Sequence, residues 1–97
     1  MYATFIKIWQ INFAKILEFQ LKIFIEYCGQ WNYKPEALRV RDKLLELYSV
    51  KVQVIEGGGG IFEITQMAKV LFSKKGAGRF PSDEDLQKLG LVIKFDN

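Results

Sequence analysis

Two alternating apolar runs separated by one amphipathic helix restrict this chain more than any other feature of its sequence. From Leu21 to Tyr27, Leu21, Ile23, Ile25 and Tyr27 fall on one side and Lys22, Phe24 and Glu26 on the other, the period of a largely buried strand. Pro35 follows where a first helical turn tolerates a missing amide hydrogen, and a helix is predicted from about there. Ala37, Val40, Leu44, Leu47 and Tyr48 share its inner stripe, with Leu38 and Leu45 beside it, while Glu36, Arg39, Asp42, Lys43 and Glu46 largely face water. Val50, Val52 and Val54 alternate with Lys51 and Gln53 as a second strand. Strand, helix and strand in this order make a βαβ unit, whose two strands run parallel through a right-handed crossover.

Gly57 to Gly60 then interrupts all regular structure. Ile61–Thr65 and Lys69–Ser73 read as two more strands joined by a turn at Gln66 and Met67, a hairpin. Lys74 to Gly78 reads as a polar loop. Ser82 followed by Asp83, Glu84 and Asp85 is a helix start, and Leu86, Leu89, Val92 and Ile93 supply that helix's buried side. The order β-α-β-β-β-α predicts an α/β domain of thioredoxin-like type, a mixed four-stranded sheet with two helices. By analogy with that fold the strands lie in the order fourth, third, first, second. Three loops then meet at one end: the turn after Cys28, the glycine loop and Lys74–Arg79.

The domain occupies residues 21–97, and residues 1–20 form an N-terminal extension. Tyr2, Phe5, Ile6, Trp9, Phe13, Ile16 and Leu17 share one helical face there, as in an amphipathic helix. A start codon chosen too early is the alternative. Lys7, Gln10, Asn12, Lys15 and Glu18 interrupt every window long enough to span a bilayer, so a membrane is not the expected partner. With 97 residues the chain has material for one core, and a net charge of +3 without a basic cluster argues against nucleic acid. The absence of histidine removes the usual general base and the commonest zinc ligand, so neither hydrolase chemistry nor a metal site is expected.

Cys28 is the single cysteine, which excludes an internal disulfide and favours a reducing compartment, the cytoplasm. As a small buried hydrophobe it would be unremarked. Its place between a strand and a helix start predicts instead a thiol whose ionised form is favoured by unpaired helix amides, with Lys34 nearby, and which is open to an incoming disulfide.

The segment Tyr27-Cys28-Gly29-Gln30-Trp31-Asn32-Tyr33-Lys34-Pro35 resembles the active-site segment of the selenoprotein W family, Rdx-type proteins whose relatives include selenoproteins T, H and V. Gly60-Ile61-Phe62-Glu63-Ile64, Ser73-Lys74-Lys75-Gly76 and Gly78-Arg79-Phe80-Pro81 continue the resemblance in order. It implies a small thiol or selenol oxidoreductase of cell redox homeostasis, exchanging with glutathione or with protein thiols and disulfides and holding no cofactor beyond glutathione as co-substrate. It implies Cys28 and position 31 as the catalytic pair, but the family has selenocysteine or cysteine where this chain has Trp31. An indole cannot exchange electrons with a disulfide. Either the protein works through mixed disulfides on one thiol, or Trp31 marks a UGA codon that natively encodes selenocysteine; a UGG codon excludes the latter.

Gly29, Gln30, Lys74, Lys75, Arg79 and Phe80 are the candidate substrate-binding residues, the cations for glutathione carboxylates or acidic partners and Phe80 with Trp31 for an apolar docking surface. The glycine run lacks the Gly-Lys-Ser or Gly-Lys-Thr that a phosphate cradle needs. The competing class is a non-catalytic protein-interaction module on the same fold, with a protein partner held by Trp31 and the lysine loop.

Overall fold

In the computed structural model, which describes residues 21–92, the first alternating run becomes strand β1, Ile23–Cys28. Helix α1, Lys34–Tyr48, follows, then β2, Val52–Gly57, β3, Phe62–Gln66, and β4, Lys69–Ser73. Two short helices complete the fold, α2 over Lys74–Ala77 and α3 over Asp83–Gln87. The extension 1–20 and Ile93 lie outside the described residues. The sheet order is β2-β1-β3-β4, as predicted. β1 runs parallel to β2, with Ile25 opposite Val54, and antiparallel to β3, with Ile25 opposite Ile64 and Tyr27 opposite Phe62.

That register gathers the apolar period of β1 and β3 on one face, where α1 covers it. Ile23, Ile25, Tyr27, Phe62 and Ile64 of the sheet pack with Ala37, Val40 and Leu44 of α1 and with Leu86 of α3. Each fully buried aliphatic side chain contributes roughly 1.5–3 kcal/mol, so this face holds most of the stability. The helix ends where Ser49 adopts a left-handed φ of 55°, its amide donating to the Leu45 carbonyl. One residue earlier the Tyr48 hydroxyl donates to the Leu86 carbonyl at 2.6 Å, fastening α1 to α3. Ser82 and Asp85 form a reciprocal capping box, in which the Ser82 side chain accepts from the Asp85 amide and the Asp85 carboxylate from the Ser82 amide.

Three local expectations change. Gln66 is not a turn residue: the hairpin turn is Met67-Ala68, between the paired residues Gln66 and Lys69, and both turn residues have positive φ, 54° and 60°. A two-residue hairpin loop demands that conformation whether or not Asn or Gly is present to announce it. Gln66 is thereby moved into β3 and buried, where its carboxamide donates to the carbonyls of Leu21 (3.0 Å) and Val92 (2.6 Å) and accepts from the Val92 amide (2.9 Å). Lys74–Ala77 is a single helical turn closed by left-handed Gly78, not a loop. The last helix stops at Gln87, so Val92 meets Gln66 instead of lining α3.

Candidate active site

The turn after β1 is set by two nested hydrogen bonds. The Tyr33 amide donates to the Cys28 carbonyl (3.1 Å) and the Asn32 amide to the Gly29 carbonyl (3.2 Å), with Asn32 left-handed at φ 59°. This is the six-to-one, five-to-two pattern that closes a helical turn, built here on residues 28–33. The turn therefore carries the chain from Cys28 to position 31 through local hydrogen bonds.

The glycine loop holds this turn from the other side. The Cys28 amide donates to the Ile61 carbonyl (2.8 Å), the Gly29 amide to the Gly57 carbonyl (3.2 Å), and Cys28 pairs with Gly57 in the parallel ladder. Gly60, at φ 76°, lies under the indole of Trp31; a Cβ there would come within 2.6 Å of the ring. Trp31 itself is 60% exposed, whereas Cys28 has no exposed surface at all. The expectation of an open thiol facing the first amides of a helix is thus corrected. Cys28 closes the strand, buried, and α1 begins only at Lys34, while the turn and the glycine loop are hydrogen-bonded to its backbone.

From Trp31 a file of aromatic rings runs into the core, each edge-on to the next: Trp31 to Tyr33 (6.0 Å between centroids), Tyr33 to Phe80 (4.8 Å) and Phe80 to Phe62 (5.2 Å). Lys74 lies across this file, its Nζ 5.5 Å from the Tyr33 centroid and 5.3 Å from that of Phe80. Beside it opens a cleft of about 540 Å³ lined by Gly58–Glu63 and by Ser73, Lys74 and Lys75. The three predicted loops do meet at one end of the sheet.

Of the candidate residues, Gln30 is exposed at the turn and Gly29 is half-buried, with the Glu56 side chain packed where its Cβ would stand. Lys74 and Lys75 line the cleft. Phe80 is an internal ring of the aromatic file and not an exposed docking surface. Arg79 turns away to Asp85, with one nitrogen on each carboxylate oxygen, and it does not line the cleft. Tyr33, Glu63 and Ser73 were not among the candidate site residues; the available signal was that all three lie within the stretches that carry the family resemblance. Among the described residues no cluster of acidic and sulfur ligands could hold a metal ion, and no helix is long and apolar enough to cross a membrane.

The Rdx family profile covers residues 22–89, from just before the first strand to just past the last helix. The chain belongs to the Rdx family. Mouse (Mus musculus) selenoprotein W is 32% identical over 79 residues, spanning 76% of this chain and 90% of its own length. Bovine (Bos taurus) migration and invasion enhancer 1 is 31% identical over 67 residues, 68% of this chain and 58% of that protein. A selenoprotein W-related protein from Vibrio cholerae superposes with a TM-score of 0.65 at 28% identity over 70% of this chain and 89% of its own. A Bordetella parapertussis protein superposes at 0.66 with 27% identity, covering 70% and 90%. The Rdx-family fold is therefore the mixed α/β sheet described here.

The Arg79–Asp85 pair gives this Rdx chain an acid-sensitive fastening. The Arg79 guanidinium, and after it the Ser82 amide, hold the Asp85 carboxyl below the usual carboxylate range. A carboxyl with a lowered folded-state pKa stabilises fully above its unfolded value, near ~3.9, and loses that contribution as pH falls through the lowered one. Melting temperatures taken between about pH 6 and pH 2 are expected to fall more steeply for the native chain than for Asp85→Asn. Parallel profiles for the two would show that the pair does not contribute.

Proposed function

We propose that this Rdx-family chain exchanges electrons with disulfides through the turn that carries Cys28 and position 31. The observation behind this reading is the asymmetry of that turn, with position 31 largely in solvent and Cys28 fully covered. Such an arrangement suits an outer attacking group and an inner resolving thiol. With selenocysteine encoded at position 31 by UGA, the selenolate attacks a disulfide sulfur, forms a selenenylsulfide with one half and releases the other as thiolate. The Cys28 thiolate then attacks selenium and expels the second thiolate, so the substrate disulfide gains two electrons and the pair closes. Two equivalents of glutathione, leaving as its disulfide, reopen it. A lone thiol suits the cytoplasm, where that glutathione is available.

With Trp31 in place one step remains: Cys28 attacks oxidised glutathione, forms a mixed disulfide and releases one glutathione thiolate. That step waits for the turn or the glycine loop to open. Incubation of the full chain with oxidised glutathione is expected to add one glutathione, on Cys28, at a rate that climbs with small additions of urea. An intact mass that stays unchanged, with Cys28 also inert to iodoacetamide, would instead favour the second reading, a protein-interaction module. The exposed indole of Trp31 is the feature that module would use.

A further inference from the structure

We propose that Lys74 makes the cleft beside this turn selective for disulfides that carry a carboxylate, the class to which glutathione and acidic peptides both belong. The proposal rests on the exchange reading and names the substrate class that the reading leaves open. Three observations carry it.

The first is how the Lys74 ammonium is held. Among the described residues no carboxylate pairs with Lys74 or Lys75, in contrast to Arg79 in the same region; Lys22, Lys34, Lys51 and Lys69 also lack an acidic partner, and what sets Lys74 apart is its seat. Lys74 rests instead on the faces of Tyr33 and Phe80, an attraction that orients an ammonium without neutralising it. A half-buried cation so placed offers its full charge to a ligand.

The second is location. Lys74 sits over Tyr33, which closes the turn bearing Cys28 and position 31, and it lines a cleft also lined by Gly60, against the Trp31 indole. A disulfide attacked at position 31 has the cleft beside it for the remainder of the molecule. The third is the charge of the lining. Lys74 and Lys75 outweigh the single carboxylate there, Glu63, so an anionic group is favoured, and Glu63 offers a partner for an ammonium on the same ligand. Arg79, the other cation of this region, is occupied by Asp85 and is assigned no part.

The test compares disulfides of different charge on the full chain carrying Trp31→Cys, with and without Lys74→Met, a change that keeps the apolar stem on the two rings. Oxidised glutathione is the anionic probe, hydroxyethyl disulfide the neutral one and cystamine the cationic one. A disulfide-linked acidic peptide with blocked ends separates protein-derived carboxylates from those of glutathione. Lys74→Met is expected to slow the anionic probes about fivefold, leave the neutral one within about twofold and quicken cystamine. Lys74→Arg restores most of the anionic rate, and ~0.5 M salt erases the difference between the charged probes.

An effect on glutathione alone, or on the acidic peptide alone, supports the proposal and identifies the source of the carboxylate. An unchanged anionic-to-neutral ratio in Lys74→Met overturns it, as does an equal loss in Arg79→Met. If no probe reacts, the neutral one included, the exchange reading has failed, and binding of S-methylglutathione, which cannot exchange, then decides the Lys74 assignment separately. Amide shifts at residues 58–63 and 73–75 that disappear in Lys74→Met sustain it; their absence in the unsubstituted chain overturns it.

Discussion

Replacing Trp31 by cysteine is expected to raise the initial rate of reaction with oxidised glutathione by about 100-fold or more and to convert the product from a slow adduct into an internal disulfide. The magnitude follows from access. In the Trp31 chain the single thiol is fully covered, and a local opening free energy of about 3 kcal/mol leaves under about one molecule in a hundred competent at any instant. A thiol at the outer position needs no opening. It attacks one sulfur of glutathione disulfide and releases a glutathione thiolate; Cys28 then attacks the sulfur at position 31 and expels the second.

The turn bonds, Tyr33 amide to Cys28 carbonyl and Asn32 amide to Gly29 carbonyl, keep positions 28 and 31 on one short loop, and closure brings their Cβ atoms to about 3.5–4.5 Å. Intact mass and thiol release follow both steps, and adding Cys28→Ser is expected to halt the reaction at the mixed disulfide. A doubly substituted chain that behaves like Trp31→Cys alone would remove Cys28 from the chemistry, and a rate equal to that of the Trp31 chain would remove position 31.

The second large effect is structural and lies at the opposite end of β1. Gln66→Leu preserves volume and apolarity in a buried strand position, yet it strands the carbonyls of Leu21 and Val92 and the Val92 amide. Each buried backbone group left without a partner costs about 1–3 kcal/mol, and water reaches some of these half-buried ones, so a total loss of about 2–4 kcal/mol is expected. For a domain of this size that lowers the melting temperature by roughly 10–20 °C. Thermal unfolding followed by circular dichroism measures it. A shift of only a degree or two would mean that the segments around Leu21 and Val92 find other partners and that Gln66 is a passenger.

The parts of this protein legible in its residues are those governed by local period and cap. The alternation through Ile23, Ile25 and Tyr27 marks the face that α1 covers, the stripe Ala37, Val40 and Leu44 marks what covers it, and Ser82 with Asp85 starts the last helix where the acids begin. The order of these elements matched a thioredoxin-like domain, and analogy with that fold placed the four strands and brought three loops to one end. The hairpin turn was misplaced by one residue because Met67 and Ala68 carry no preference for positive φ. That one step hid the most consequential polar residue of the core, Gln66.

At the site the division is sharper. Cys28 as the residue between β1 and the following turn was legible from its neighbours, whereas its pairing with position 31 came from the resemblance to the selenoprotein W family and the turn-closing role of Tyr33 from the structure. Where the Trp31 ring lies and that Lys74 rests on Tyr33 depend on contacts across 28 or more residues of chain, from the turn to the glycine loop and to Lys74, whereas Arg79 is taken by Asp85 six residues on. Periodicity reports which side of an element is buried. It carries no information about which distant loop covers a side chain at an element's end, because that is decided by packing between segments whose sequences do not refer to one another.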